Sequence, residues 1–193
     1  IENGILKLVF KKLAQPETIN GLTRQWSTGM IHSRNKIAVD GSATGTYIEI
    51  KSKPAAGNGL WSHAWLLPED FARDPNCPVQ RYTLKLHSFN GKYPDVSEYN
   101  VRSRLSCQIS ADALSDESFI HQGINHAQDF HVYGMDWYPD HIDFYFDGQK
   151  VHTSTALSGN SGPGFLILNG YVTADGLNGR TYYPYDSAPD ATT

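Results

Sequence analysis

The sequence predicts an all-β fold, and three observations carry the prediction. Apolar residues alternate with period two in segment after segment. Gly, Pro and Asn punctuate these segments at short intervals, and no long stretch shows helical spacing. Regularly spaced short strands of this kind build a sandwich or a barrel.

The elements follow in order. Ile5 to Phe10 reads as a strand after an Asn3-Gly4 turn. Gly45 to Lys53 alternates polar with aromatic or aliphatic residues until Pro54 stops it. Gly59 to Leu67 is mostly apolar and is closed by Pro68. A strand is expected at Tyr82 to Leu86, inside an otherwise aperiodic stretch over 69–92 that reads as a binding loop. Phe130 to Trp137 is the next strand. Ile142 to Phe146 then alternates into Asp147-Gly148, a strong hairpin signal, with Gln149 to Thr153 returning. Gly164 to Asn169 reads as a buried strand, and residues 173–193, rich in Gly, Asp, Tyr and Pro, as surface loop. With no repeat, linker or low-complexity tract, residues 1–193 are expected to form one domain.

Composition narrows the function classes. Aromatics reach 12% of the 193 residues while charged residues make up only 19%, so Tyr and Trp are available for surface work as well as the core. The net charge is −4 with no Lys/Arg run, which argues against a nucleic-acid partner. No stretch approaches the ~20 apolar residues of a membrane span. The sequence has no starting Met and no leader-like segment, so a mature or trimmed chain is expected. Cys77 and Cys107 suit either a disulfide in an oxidising compartment or two buried thiols, and are too sparse for a zinc site.

Five segments, in one order, resemble glycoside hydrolase family 16, the laminarinases, lichenases, agarases and carrageenases. They are Asn3 to Leu8, Trp26 to Ser33 (like the family's y-t-S-G-x-i-x-S), Thr46 to Pro54 (like y-G-r-i-E-a-r-i-K-l-P), Gly57 to Pro68 (like G-x-G-l-W-P-A-f-W-l-l-P), and Phe130 to Trp137 running on to Gly148. The resemblance implies a concanavalin A-like jelly roll of two curved antiparallel sheets, with a concave sheet open to a linear polysaccharide. It implies a secreted or periplasmic protein, monomeric unless a partner supplies a strand, because the family's final "v-D-y-V-r-V" strand has no match. It requires no cofactor. Family members can carry a structural calcium, for which Glu69, Asp70, Asp74 and Asp112 are the acids to inspect, although none has metal-loop spacing.

The family's catalytic strand carries E-x-D-x-x-E or E-x-D-x-E. Residues i and i+2 share a strand face, so such acids line a cleft, and a β-bulge returns the last Glu to that face in the longer version. Here the matching segment is Tyr93-Pro94-Asp95-Val96-Ser97-Glu98. By resemblance Glu98 is the general acid/base and Asp95 the central Asp, but Tyr93 stands where the nucleophilic Glu belongs. A bulge at Val96-Ser97 would turn Asp95 and Glu98 the same way. Without one they face opposite sheets. Four readings follow: a degenerate domain that binds glycan without cutting it; hydrolysis with Asp95 as nucleophile; hydrolysis with Tyr93 as nucleophile; or a lyase in which Tyr93 and a histidine abstract a proton from a uronan. Pro94 weighs on all four, since proline rarely sits in a central strand.

Other residues join the candidate site. Trp61 and Trp65, four apart on one strand, share a face suited to stacking on sugar rings, with core packing as the plain alternative. His63 lies between them and is either a hydrogen-bonding or proton-carrying imidazole or a satisfied structural one. His87 has the same two readings, while His131 matches a structural position. Trp26, Arg34 and Asn35 match the region flanking the family's cleft. Arg102 and Arg104 alternate after Glu98 and would suit an anionic glycan.

Overall fold

A computed structural model describes residues 1–19, 21–38, 45–68, 81–91, 95–104, 115–155 and 163–172. Pro68, Arg81, Tyr82, Val96, Glu98, residues 100–104 and residues 115–118 are described by their backbone alone.

Twelve strands form, and no helix interrupts them among the described residues. They are β1 (Lys11–Ile19), β2 (Leu22–Ser27), β3 (Met30–His32), β4 (Thr46–Ser52), β5 (Leu60–Pro68), β6 (Arg81–Asn90), β7 (Val96–Arg104), β8 (Ser115–Gln122), β9 (His131–Trp137), β10 (Ile142–Phe146), β11 (Gln149–Ser154) and β12 (Gly164–Val172). All pairings are antiparallel. A six-stranded sheet runs in the order β3-β12-β5-β6-β7-β8, a four-stranded sheet in the order β11-β10-β9-β4, and β1-β2 form a separate ribbon. The two larger sheets make the jelly-roll sandwich.

The core lies between these sheets because each strand turns its apolar alternate residues inward. Ala64 and Leu66 from β5, Leu84 and Leu86 from β6, and Tyr99 from β7 meet Ile48, Tyr133, Met135, Trp137, Ile142, Phe144 and Phe146 from the other sheet. The Asp147-Gly148 turn has φ of 46° and 77°, the doubly positive pattern that a tight hairpin demands and that this pair tolerates.

The N-terminal expectation is corrected. Residues 6–10 are not a strand; Glu2 and Ile5 close a small bridge, and the first strand begins at Lys11. Phe10 instead lays its ring against β12 at Gly170, where a Cβ would sit 2.3 Å from Phe10 Cζ. The strand expected at Tyr82 to Leu86 extends to Asn90. Cys77, Cys107 and residues 173–193 lie outside the described residues, as do Glu69, Asp70, Asp74 and Asp112. Among the described residues no three His, Cys, Asp or Glu side chains are grouped to hold a metal ion.

Candidate active site on the six-stranded sheet

The site begins with a break in alternation. Leu84 and Leu86 point into the core, and simple period-two counting would send Ser88 after them. Register against both neighbours shifts within β6, between Lys85 and Ser88. The extra residue is a β-bulge, which re-aims everything after it. His87 therefore faces inward. Its Nε2 is 3.1 Å from Ser52 Oγ on β4, and its ring lies 4.5 Å from that of Tyr133 on β9. Ser88 and Asn90 are returned to the outer face.

The bulge lets one rung of residues cross all six strands on that outer face. Met30, Asn169, His63, Ser88, Glu98 and Ile120 are successive register partners from β3 to β8. The rung on one side carries Tyr171, Trp61 and Asn90; the rung on the other carries His32, Ile167, Trp65, Lys85, Asn100 and Ser118. Trp61, His63 and Trp65 thus share the face away from the core.

Their packing is specific. The rings of Trp61, His63 and Tyr171 lie near-parallel, with His63 and Tyr171 centroids 4.8 Å apart at 8° and Trp61 and Tyr171 5.7 Å apart at 9°. Trp65 is half-buried, and its Nε1–H donates to Asn169 Oδ1 at 2.9 Å. His63 is 8% exposed and Ser88 3% exposed, and neither His63 Nε2 nor Ser88 Oγ has a hydrogen-bond partner. Burial drives the His63 pKa well below its usual range, with the positive charge of Lys85 and then His87 adding to the effect. His63 is neutral at physiological pH.

Of the two arrangements the sequence leaves open for the acids, the backbone shows the one without a bulge. β7 runs in unbroken register against β8 from Val96↔Gln122 to Ser103↔Ser115, so no bulge exists at Val96-Ser97. Asp95 is an exposed turn residue whose carbonyl accepts the Gly123 N–H at 3.2 Å. It continues the register of Ser97 and Tyr99, both buried on the core side. Position 98 belongs to the opposite face. Asp95 and Glu98 are therefore not a face-sharing pair, and the bulge that the sequence motif needs sits one strand away. Tyr93 lies outside the described residues. On the outer face of the described strands the acidic positions are Glu98 and Asp116. Their backbone positions stand four residues apart along the sheet, roughly 13 Å, and one strand apart.

The remaining candidates are spread out. Arg102 and Arg104 occupy outer-face positions opposite Thr83 and Arg81, at the end of β7 away from the Trp61 rung. Arg34 and Asn35 are exposed just beyond β3; Ser33 joins β12 through Leu166 and donates its hydroxyl to the Asn35 carbonyl at 2.8 Å. Trp26 is half-buried in the β1-β2 ribbon opposite Lys12 and is not part of the six-stranded sheet. The sequence reading passed over Ser88, Asn169 and Tyr171. Asn169 and Tyr171 were within reach, since they alternate with Gly164, Leu166, Leu168 and Gly170 on the last strand; Ser88 required knowledge of the bulge.

Comparison with known proteins agrees with this architecture. Residues 107–173 match the model of the glycosyl hydrolases family 16. A beta-glucanase of Acetivibrio thermocellus is 53% identical over 126 residues, covering 64% of this chain and 33% of the relative. Glucan endo-1,3-beta-glucosidase A1 of Niallia circulans is 24% identical over 169 residues, covering 81% of this chain and 24% of its own length. The chain thus spans a third or less of these relatives. The fold superposes on the catalytic domain of an endo-1,3-beta-glucanase (laminarinase) from Thermotoga petrophila RKU-1 with a TM-score of 0.73 at 20% identity, covering 100% of this chain and 73% of that one. The chain is thus similar to glycosyl hydrolases of family 16 in one matched segment and in these relatives, and it shares its fold with a laminarinase catalytic domain.

Proposed function

We propose that the chain is the glycan-cleaving domain of an endo-acting polysaccharide hydrolase, with a β-glucan as substrate and Glu98 as proton donor. One observation carries the reading: the register rung that sets Glu98 on the same sheet face as Trp61, His63, Trp65, Asn169 and Tyr171. Aromatic rings exclude water from the apolar faces of sugar units. Amide and imidazole groups between them fix hydroxyl directions, and an acid within that row is placed to protonate a glycosidic oxygen. The β-glucan assignment takes its support from the two curated relatives, whose names are those of β-glucan hydrolases.

In this reading Glu98 delivers its proton to the leaving oxygen as the glycosidic bond breaks. Tyr93, five residues earlier in the β6–β7 connection, is the candidate nucleophile, as the tyrosine of sialidases is. The alternative is a glycan-binding domain that does not cut, favoured by Tyr93 standing where the family's motif has its nucleophilic Glu.

The test is incubation of the wild-type chain, Glu98→Gln and Tyr93→Phe with laminarin, mixed-linkage β-glucan, agar, carrageenan and alginate. New reducing ends from a β-glucan, lost in Glu98→Gln, are expected. Retention in an affinity gel without products selects the binding domain. Ultraviolet-absorbing unsaturated ends select a lyase. Undiminished cleavage by Glu98→Gln removes Glu98 from the mechanism.

A further inference from the structure

We propose that the outward face of the four-stranded sheet carries a second polysaccharide site, with the Tyr47 ring as its platform and a neutral glycan strand as its ligand. This face lies on the far side of the sandwich from the six-stranded sheet and needs nothing from the chemistry proposed there.

Register and one glycine build the platform. On β4, Ile48 points into the core, so Tyr47 and Glu49 point out. Tyr47 pairs with Asp136 on β9, which pairs with Asp143 on β10; Glu49 pairs with Gly134, which pairs with Tyr145. A tyrosine standing upright would carry its hydroxyl away from the backbone. Here a Cβ at Gly134 would sit 2.7 Å from Tyr47 Oη and 3.2 Å from Cζ, so the phenol leans across β9 and rests where a side chain is missing. Tyr47 is nevertheless 52% exposed. A ring laid on the sheet with that much surface in water turns its other face to solvent.

Three contacts fix the ring. Tyr47 Oη donates to Glu49 Oε2 at 3.0 Å, the phenol rests over Gly134, and Tyr145 meets it edge to face with centroids 6.0 Å apart at 74°. Burial, followed by Glu49, holds the Tyr47 phenol above its usual range, so the hydroxyl keeps its proton and its bond to Glu49. An aromatic face set in advance and open to water matches the apolar C–H face of a sugar ring. Stacking removes both from water, and little side-chain freedom is left to lose.

The surroundings select the ligand. A carboxylate has about four lone-pair sites, so Glu49 can accept from sugar hydroxyls as well as from Tyr47. Tyr138 donates to Asp136 Oδ2 at 2.7 Å and stacks on His141 at 4.4 Å, which extends the aromatic surface toward the end of the sheet. Lys150 lies 2.8 Å from Asp143 Oδ1 and is neutralised by it. Glu49 and Asp136 are therefore the charges flanking Tyr47, with Lys51 one outward position beyond Glu49. A sulfated or uronic glycan is repelled there, whereas a neutral glycan brings hydroxyl donors to an acceptor-rich surface.

The test is amide NMR of the whole chain titrated with laminaritetraose, run on wild type and on Glu98→Gln so that cleavage of the probe does not decide the result. The amides of Gly134, Asp136 and Tyr145 are expected to shift. Tyr47→Ala should weaken that response about tenfold, while the amides around Trp61 and Trp65 respond as in wild type. Tyr47→Phe keeps the stacking face and should retain affinity within about twofold. Tyr47→Leu still covers Gly134 but has no flat face, so it should behave as Tyr47→Ala does and serves if that variant fails to fold. A response confined to the six-stranded sheet, or Tyr47→Ala and Tyr47→Leu titrating like wild type, overturns the site. An aromatic ring beside carboxylates also fits a cation, so pentalysine shifting these amides where laminaritetraose does not overturns the glycan assignment. Shifts around Tyr47 with none around Trp61 and Trp65 support this site and sink only the reading of the six-stranded sheet as a glycan face.

Discussion

His126 Nδ1 lies 2.9 Å from the Tyr133 hydroxyl, and the imidazole is fully buried between the sheets. The residue belongs to the connection between β8 and β9, so this contact fastens that connection into the core. His121 Nδ1 approaches His126 Nε2 at 3.5 Å, and His131, His87, Phe146 and Asp147 complete the surroundings. Burial, reinforced by His121 and His131, lowers the His126 pKa to about 4. Burial, reinforced by His126, lowers that of His87 to about 3.

Acid should therefore loosen this sandwich before its carboxylates titrate. Both histidines bind a proton at about pH 6.5 when unfolded and only at about 3 to 4 when folded. The unfolded state holds more protons in that interval, so stability is full above pH 6.5 and falls as pH drops toward 4. Each histidine costs about 2 kcal/mol by pH 5. Urea midpoints at pH 7.5 and pH 5 check this, with His126→Phe reducing the difference. Equal midpoints for the wild-type chain would refute it.

Gly170→Ala should destabilise the chain through Phe10. The new Cβ would overlap the Phe10 ring, which already seats the N-terminal segment on β12. Overpacking of this kind costs about 1–3 kcal/mol. Phe10→Ala combined with Gly170→Ala should cost less than the two single changes summed, since neighbours that collide are non-additive. Thermal unfolding of the four proteins gives the answer, and strict additivity would place Phe10 elsewhere.

Trp65 separates stacking from hydrogen bonding on the proposed glycan face. Trp65→Phe keeps an aromatic surface but removes the donor to Asn169 Oδ1, a loss of about 1 kcal/mol in stability. Trp65→Ala removes the ring as well and should weaken glycan affinity about tenfold, equivalent to about 1.4 kcal/mol. Affinity electrophoresis against a β-glucan resolves the two. Equal retention of Trp65→Ala and wild type would take Trp65 off the binding face.

Legibility from sequence tracked how locally each feature is determined. Ile142 to Phe146 and the Asp147-Gly148 turn were readable because alternation and turn chemistry are properties of adjacent residues. The two-sheet fold was readable because several such segments recur. Residues 5–10 misled because an apolar run can pack irregularly against a neighbour, as Phe10 does on β12, without a ladder partner. The site was readable only in part. Trp61, His63 and Trp65 were placed on one face by counting within a single strand, and they share it. Whether a bulge sits at Val96-Ser97 is left open by the sequence; β7 has none there and β6 has one between Lys85 and Ser88, because a bulge is set by two strands together and leaves little trace in either alone. Ser88 was invisible for the same reason.

Asp147 joins both ends of the β9-β10 hairpin, and its replacement should be costly in a graded way. Its Oδ1 accepts the Val132 N–H at 2.8 Å, its Oδ2 lies 2.8 Å from His131 Nδ1, and its own N–H donates to the Val132 carbonyl at 2.8 Å. The residue also occupies the left-handed region at φ 46°, where Asp and Asn are tolerated and Ala is strained. Burial opposes ionisation here, but the Val132 N–H and the His131 ring outweigh it and hold the carboxyl below its ordinary range. Asp147→Ala loses both side-chain hydrogen bonds and the turn preference, about 2–3 kcal/mol in all. Asp147→Asn keeps the turn preference and one acceptor, so about 1 kcal/mol is expected. Urea unfolding at pH 7.5 orders the three proteins wild type, Asn, Ala. If Asp147→Ala is as stable as wild type, the turn is held by Gly148 and the ladder alone.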